Sequence, residues 1–193
     1  MAPLVRIVDG ARLLATAHAA SWNQSQLLTV HVVDGATAAY NIPMVHWLDG
    51  SLSASALRAA IDLIVERHAV LRTTYEVGVG GGFKQRVHAC ACGAGGGALL
   101  REASAPSAAA ADALVGADTS RGFELLGAGS NVLRCALVSV AGAGVADPLS
   151  RRHLLLLNVH HVAFDGVSAE VLLGELDLLY GALSTGEHVE DVA

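Results

Sequence analysis

Cysteine is scarce in this chain, which holds only Cys90, Cys92 and Cys135. An odd number of thiols, with no charged-then-apolar export signal at the N-terminus, excludes a disulfide-stapled scaffold. His88-Ala89-Cys90-Ala91-Cys92 sets two thiols near an imidazole. Zinc takes four ligands, however, and the Gly-Ala-Gly-Gly-Gly run that follows adds none, so no metal is expected. Basic charge is also short: 12 Lys and Arg stand against 18 Asp and Glu, a net charge of -6. The electrostatic footprint of a nucleic-acid binder is therefore absent. No apolar run reaches the roughly 20 residues of a bilayer span. These absences lead to the expectation of a soluble, cytoplasmic protein with neither nucleic-acid nor membrane partners.

Apolar side chains are abundant, at 53% of 193 residues against 16% charged, enough to bury the core of one compact unit over residues 1–193. The pattern predicts an alternating α/β order. A strand is expected from Tyr40 to Trp47, closed by Asp49-Gly50. A helix capped by Ser53 or Ser55 follows, with Leu57, Ile61, Ile64, Val65 and His68 on one face. Leu71–Val77 and Phe83–His88 are expected strands around Gly78-Val79-Gly80-Gly81-Gly82, which lacks the Gly-Lys-Ser/Thr ending of a phosphate loop. An Ala-rich helix is expected over Pro106–Val115, then strands at Val132–Val138 and Leu154–Val159. Gly/Ala-rich tracts occupy about 93–98, 103–111 and 141–146, the first and third expected as surface loops.

One short stretch concentrates the chemistry. His160-His161-Val162-Ala163-Phe164-Asp165-Gly166 follows the apolar Leu154–Val159 run and precedes a helical pattern in which Leu172, Leu176, Leu179, Tyr180 and Leu183 share a face. The order is strand, reactive turn, helix. Imidazole titrates nearest neutrality, so a positioned histidine can take a proton at one step and return it at the next. A carboxylate beside an apolar strand needs a cation or several donors, and an arginine near Asp165 is the expectation.

His-His, three residues, then Asp-Gly resembles the signature of the condensation domains of nonribosomal peptide synthetases. The wider superfamily includes chloramphenicol acetyltransferase and the wax ester synthases. Arg67-His68-Ala69-Val70-Leu71-Arg72-Thr73-Thr74-Tyr75 is similar to a second condensation-domain motif, and Tyr40-Asn41-Ile42-Pro43 to the strand entry before it. Ser21, Gln24 and Leu27 fit an N-terminal motif, whereas Asn23, Gln26 and Leu28 depart from it, which leaves the subtype and the donor's stereochemistry open.

The resemblance implies an α/β, chloramphenicol acetyltransferase-like two-layer sandwich. The chain would be its N-terminal lobe, with a mixed sheet, helices packed on it, a core at about 21–183 and a C-terminal lobe missing. It further implies amide bond formation between an acyl or peptidyl thioester and an aminoacyl thioester. No cofactor would be bound directly; substrates would arrive on phosphopantetheine arms of carrier proteins, beside an adenylation domain. On this reading His161 is catalytic, as base or as positioner, His160 is its structural neighbour, and Gly166 permits the close backbone approach that sharpens the bend. Arg67 and Arg72 support the site, at least one by a bidentate pair with Asp165. The isolated lobe is expected to be inactive. Beside this stand a CoA-dependent acyltransferase of the same superfamily and a non-catalytic lobe that only docks carrier proteins.

Overall fold

A computed structural model of the chain describes residues 17–88, 99–127, 130–141 and 151–186. Cys90, Cys92, the 93–98 tract and all but the first residue of the 141–146 tract lie outside them. The elements run β1 (Ala17–Ala19), α1 (Trp22–Asp34), β2 (Asn41–Asp49), α2 (Ala54–Arg67), a 3-10 turn (Ala69–Arg72), β3 (Thr73–Val77) and β4 (Phe83–Val87). They continue as β5 (Leu100–Ala105), α3 (Ala108–Thr119), β6 (Leu133–Val140), β7 (Arg152–His160) and α4 (Gly166–Thr185).

The unbroken leucines of β7 place it at the centre of a four-stranded sheet in the order β2-β7-β6-β5. Every residue of β7 after Arg152 is buried, as a strand covered on both faces requires. Alternation along it assigns the faces. Leu155, Leu157 and Val159 enter the main core with Leu57, Ile61, Ile64 and Val65 of α2 and Leu172, Leu176 and Leu179 of α4. Leu154 and Leu156 point the other way, to Ala111 and Val115 of α3. β7 pairs antiparallel with β2 and β6, while β5 runs parallel to β6, so the sheet is mixed, as expected.

β1, β4 and β3 form a second, antiparallel sheet, with Gly80 and Gly81 at positive φ in the hairpin that joins β3 to β4. Over it lies a smaller core of Leu28, Tyr75, Phe123, Leu125, Val132 and Val162. β3 starts two residues later than the pattern indicates because Leu71 N–H bonds His68 O at 3.0 Å and Thr73 Oγ1 bonds Ala69 O at 2.8 Å, closing a 3-10 turn first.

Three elements were not foreseen: the three-residue β1, α1 and β5. α1 buries only Leu28 fully, so its apolar stripe is weak, but Ser21 and Gln24 close a capping box at its start. β5 takes up part of the 103–111 tract, and α3 begins at Ala108 because Ser107 Oγ accepts Ala110 N–H at 3.2 Å. Among the described residues, no helix is long and apolar enough to cross a membrane.

The strap between α3 and β6 crosses the end of α1 at backbone contact. A Cβ on Gly122 would lie 2.1 Å from the Ala36 carbonyl oxygen, a clash that no side-chain movement relieves. Gly122→Ala should therefore lower stability by roughly 1–3 kcal/mol, the cost of overpacking. Thermal melting checks this, and a variant melting with the parent would mean that the two backbones part freely.

Candidate active site

The turn after β7 is held at both ends. Asn41 faces His160 across the ladder, and His161 N–H donates to Tyr40 O at 2.9 Å. Ala163 N–H donates to His160 O at 3.0 Å, and α4 begins at Gly166. Alternate side chains anchor the bend: Val162 enters the smaller core and Phe164 the main one. His161, between His160 and Val162, is left outside, as is Asp165.

The two imidazoles are consequently in opposite environments. His160 is 4% exposed; its Nδ1 accepts Val162 N–H at 3.0 Å, and its ring stands edge-on to Phe123 at 5.8 Å. Burial, with the nearby charges of His31, His161 and Arg134, pushes its pKa down to about 4. It is neutral at physiological pH. His161 Nδ1 lies 2.7 Å from Phe164 O. A carbonyl can only accept, so Nδ1 carries the hydrogen and Nε2 is the ring's acceptor when the imidazole is neutral.

Among the described residues, no arginine pairs with Asp165. Its Oδ1 accepts Ser168 N–H at 2.8 Å and Ser168 Oγ–H at 2.7 Å, capping α4. These bonds, chiefly the hydroxyl and then the amide, hold its carboxyl below the usual range, with a further contribution from the charge of His161. The expected pair fails because its premise fails: the turn points Asp165 into solvent, where the bonds from Ser168 outweigh desolvation without a cation. Arg67 instead bonds Glu175 of α4 at 3.1 Å, alongside His68 on the same carboxylate at 2.7 Å. Arg72 Nε donates to Glu66 O at 3.3 Å, and its Nη1 to His88 O. The arginines tie the end of α2 to its surroundings without reaching Asp165. Gly166 is also corrected: it has no positive φ, and open space lies where its Cβ would be, so the bend does not require it.

The ionic pair behind the histidines is one that sequence reasoning missed. Arg134 of β6 bonds Asp118 Oδ1 at 2.9 Å, donates three further bonds to the carbonyls of Asp118, Arg121 and Gly122, and lies 3.8 Å over the Phe123 ring. Burial alone would raise the Asp118 pKa, but Arg134, Asn158 and Arg121 outweigh it and leave the carboxyl low. Burial also lowers the pKa of Arg134. The only signal in the sequence was an arginine in an otherwise apolar strand, Val132-Leu133-Arg134-Cys135. Cys135 itself is buried, and that burial pushes its thiol up to about 12, so it is packing rather than a nucleophile.

His161 opens on a groove of about 690 Å³, between α1, the 3-10 turn and the start of α4. Among the described residues no group of three or more His, Cys, Asp or Glu could hold a metal.

The family model described as Condensation domain matches residues 16–193. The chain is 32% identical over 157 residues to tyrocidine synthase 2 of Brevibacillus parabrevis, covering 81% of this chain and 4% of that protein. It is 34% identical over 168 residues to chondramide synthase cmdD of Chondromyces crocatus, covering 83% and 4%. Among solved structures, the first condensation domain of the calcium-dependent antibiotic synthetase, in complex with substrate analogue 2a, superposes with a TM-score of 0.74 at 23% identity, over 91% of this chain and 40% of that one. The starter condensation domain of rhizomide synthetase RzmA gives 0.73 at 21%, over 90% and 39%. The chain thus spans 4% of these two curated relatives and about two fifths of the solved domains.

Two measurements test the site. Asp165→Ala removes the cap and should melt below the parent, whereas Asp165→Asn keeps an accepting oxygen and should melt with it; a large loss in the asparagine variant would restore the ion-pair idea. His160, depressed to about 4 when folded, is protonated first in the unfolded chain near 6.5. Its stabilising contribution is complete above pH 6.5 and is lost as pH falls from there towards 4, by at most about 3 kcal/mol. Melting curves across that window should fall, and His160→Gln should remove part of the fall.

Proposed function

We propose, from the premise that this chain belongs to the condensation-domain family, that its protein joins two carrier-bound thioesters into an amide. The observation that carries this reading is the outward His161 ring, tautomerically fixed by Phe164 O, at an open groove. The amine of an aminoacyl thioester attacks the carbonyl carbon of an acyl or peptidyl thioester, forming C–N. The carbonyl oxygen gains negative charge, then reforms C=O as C–S breaks and the thiolate leaves.

In this scheme His161 Nε2 accepts the proton the amine sheds and passes it to the departing thiolate, so the balance closes without another reactant. The Phe164 carbonyl, bonded to Nδ1–H, holds the ring with Nε2 free to accept. His160, neutral and enclosed, takes no part in proton transfer and fixes the strand end. Because a thioester is already activated, holding two tethered reactants together supplies a large share of the rate. The phosphopantetheine arms, the carriers and adenylation domain that serve them, and a second lobe closing the groove belong to the same proposal, as does the inactivity of this lobe alone.

The test uses the protein with its complete condensation domain and two loaded carriers. His161→Ala should lower amide formation by roughly 10²- to 10⁴-fold with an unchanged melting curve. A rate indifferent to the substitution would remove His161 from the chemistry. Acyl-CoA replacing a loaded carrier at equal rate would favour the CoA-dependent acyltransferase instead.

A further inference from the structure

The two stretches that take no part in the proton transfer, Ser21 to Leu27 and Arg67 to Tyr75, meet in one hydrogen bond. Gln24 Nε2 donates to the Tyr75 hydroxyl at 3.2 Å and to Gln85 Oε1 at 3.4 Å. Its Oε1 accepts Ser21 N–H at 2.8 Å, which fixes the end of the amide that faces Tyr75. Tyr75 is 1% exposed and held on both sides: it pairs with Gln85 across the β3–β4 ladder, and its carbonyl accepts Gly127 N–H at 3.0 Å. Burial pushes its hydroxyl up to about 12, so the phenol stays neutral. α1 is otherwise lightly seated. Leu28 is its one fully buried residue, with Leu27 packed beside it against the smaller core. Yet Asn23, Gln24, Gln26, Leu27 and Val30 of α1 line the groove, together with Val70 and the turn that carries His161. Tyr75, Leu28 and Val162 share the smaller core, so one buried ring is common to α1 and to that turn.

We propose that Gln24 is a positioning residue: through its bond to the Tyr75 hydroxyl it fixes where α1 stands relative to His161, and so how tightly the groove holds its thioesters. The inference rests on the reading above, in that the groove is where those substrates lie. A helix with one buried anchor opens easily, and a polar tether to a rigid strand keeps it in the binding-competent position. When that position is only partly populated, apparent affinity falls by the populated fraction, while a substrate once bound reacts as before. Gln24 and Tyr75 therefore act on binding and leave proton transfer to His161.

The experiment uses the protein with its complete condensation domain. Tyr75→Phe deletes one oxygen and keeps the ring, so its melting curve should stay close to the parent's. Its KM for the loaded carriers should rise roughly three- to tenfold, the worth of one hydrogen bond, at a kcat within about twofold. The Kd of an unreactive amino-acid thioether of N-acetylcysteamine, measured by calorimetry, should rise by the same factor without any turnover. Gln24→Met, which cannot donate, should raise Kd at least as far, and the double variant no further than Gln24→Met alone. Amide hydrogen exchange over residues 22–34 should quicken in Tyr75→Phe while β2 and β7 exchange as in the parent. Leu125→Ala, in the same core but apart from the bond, should lower melting and leave Kd unchanged. A Kd untouched by Tyr75→Phe, an equal rise in Leu125→Ala, or unaltered exchange along α1 overturns the proposal. His161→Ala separates it from the chemistry. A rise in Kd in Tyr75→Phe together with turnover indifferent to His161 keeps the tether and removes the base. Turnover that needs His161, with a Kd that ignores Tyr75→Phe, keeps the base and removes the tether.

Discussion

The nine-residue antiparallel pairing of β2 with β7 decides which of two adjacent histidines meets solvent. Side chains alternate along a strand, so a slip of one residue would exchange the surroundings of His160 and His161 and send each leucine to the opposite core. The register is secured by leucine burial on both sides of β7 and at its end by the His161 to Tyr40 backbone bond. The His161 ring is placed largely by the hydrophobic effect acting several residues upstream.

A polar cluster stiffens the far side of the same strand. Arg134 gathers the end of α3 and the strap after it, and Asn158, two residues before His160, reaches Asp118 Oδ1 at 3.4 Å. Asn41, opposite His160 in the ladder, donates to Thr119 O and Arg121 O at 2.8 and 2.9 Å. Partly buried ion pairs of this kind contribute little net stability once desolvation is counted, but removing one partner is costly. Their effect is geometric: Phe123 meets the His160 ring edge-on at 5.8 Å and carries the Arg134 guanidinium over its own ring at 3.8 Å.

Much of the fold was legible because β7, β6, α2 and α4 combine long apolar periodicity with clear caps and turns. β1, α1 and β5 were not, since three residues, a weak stripe and an alanine tract carry almost no periodic signal. The site divides along the same line. The order strand, turn, helix and the outward His161 follow from the motif and the run before it. The partner of Asp165 did not, because its proposed arginine assumed burial, and whether a turn residue faces inward depends on how Val162 and Phe164 are anchored. The pairing of Arg134 with Asp118 joins residues 16 apart in chain that periodicity does not connect.

Val162 and Phe164, two residues apart, are rooted in different hydrophobic clusters. The loop between them is accordingly a bridge across a seam, and its shape registers how one half of the lobe is seated on the other. A load that shears that seam, applied at the three-stranded sheet on which the smaller core lies, would fall on the turn that carries the imidazole.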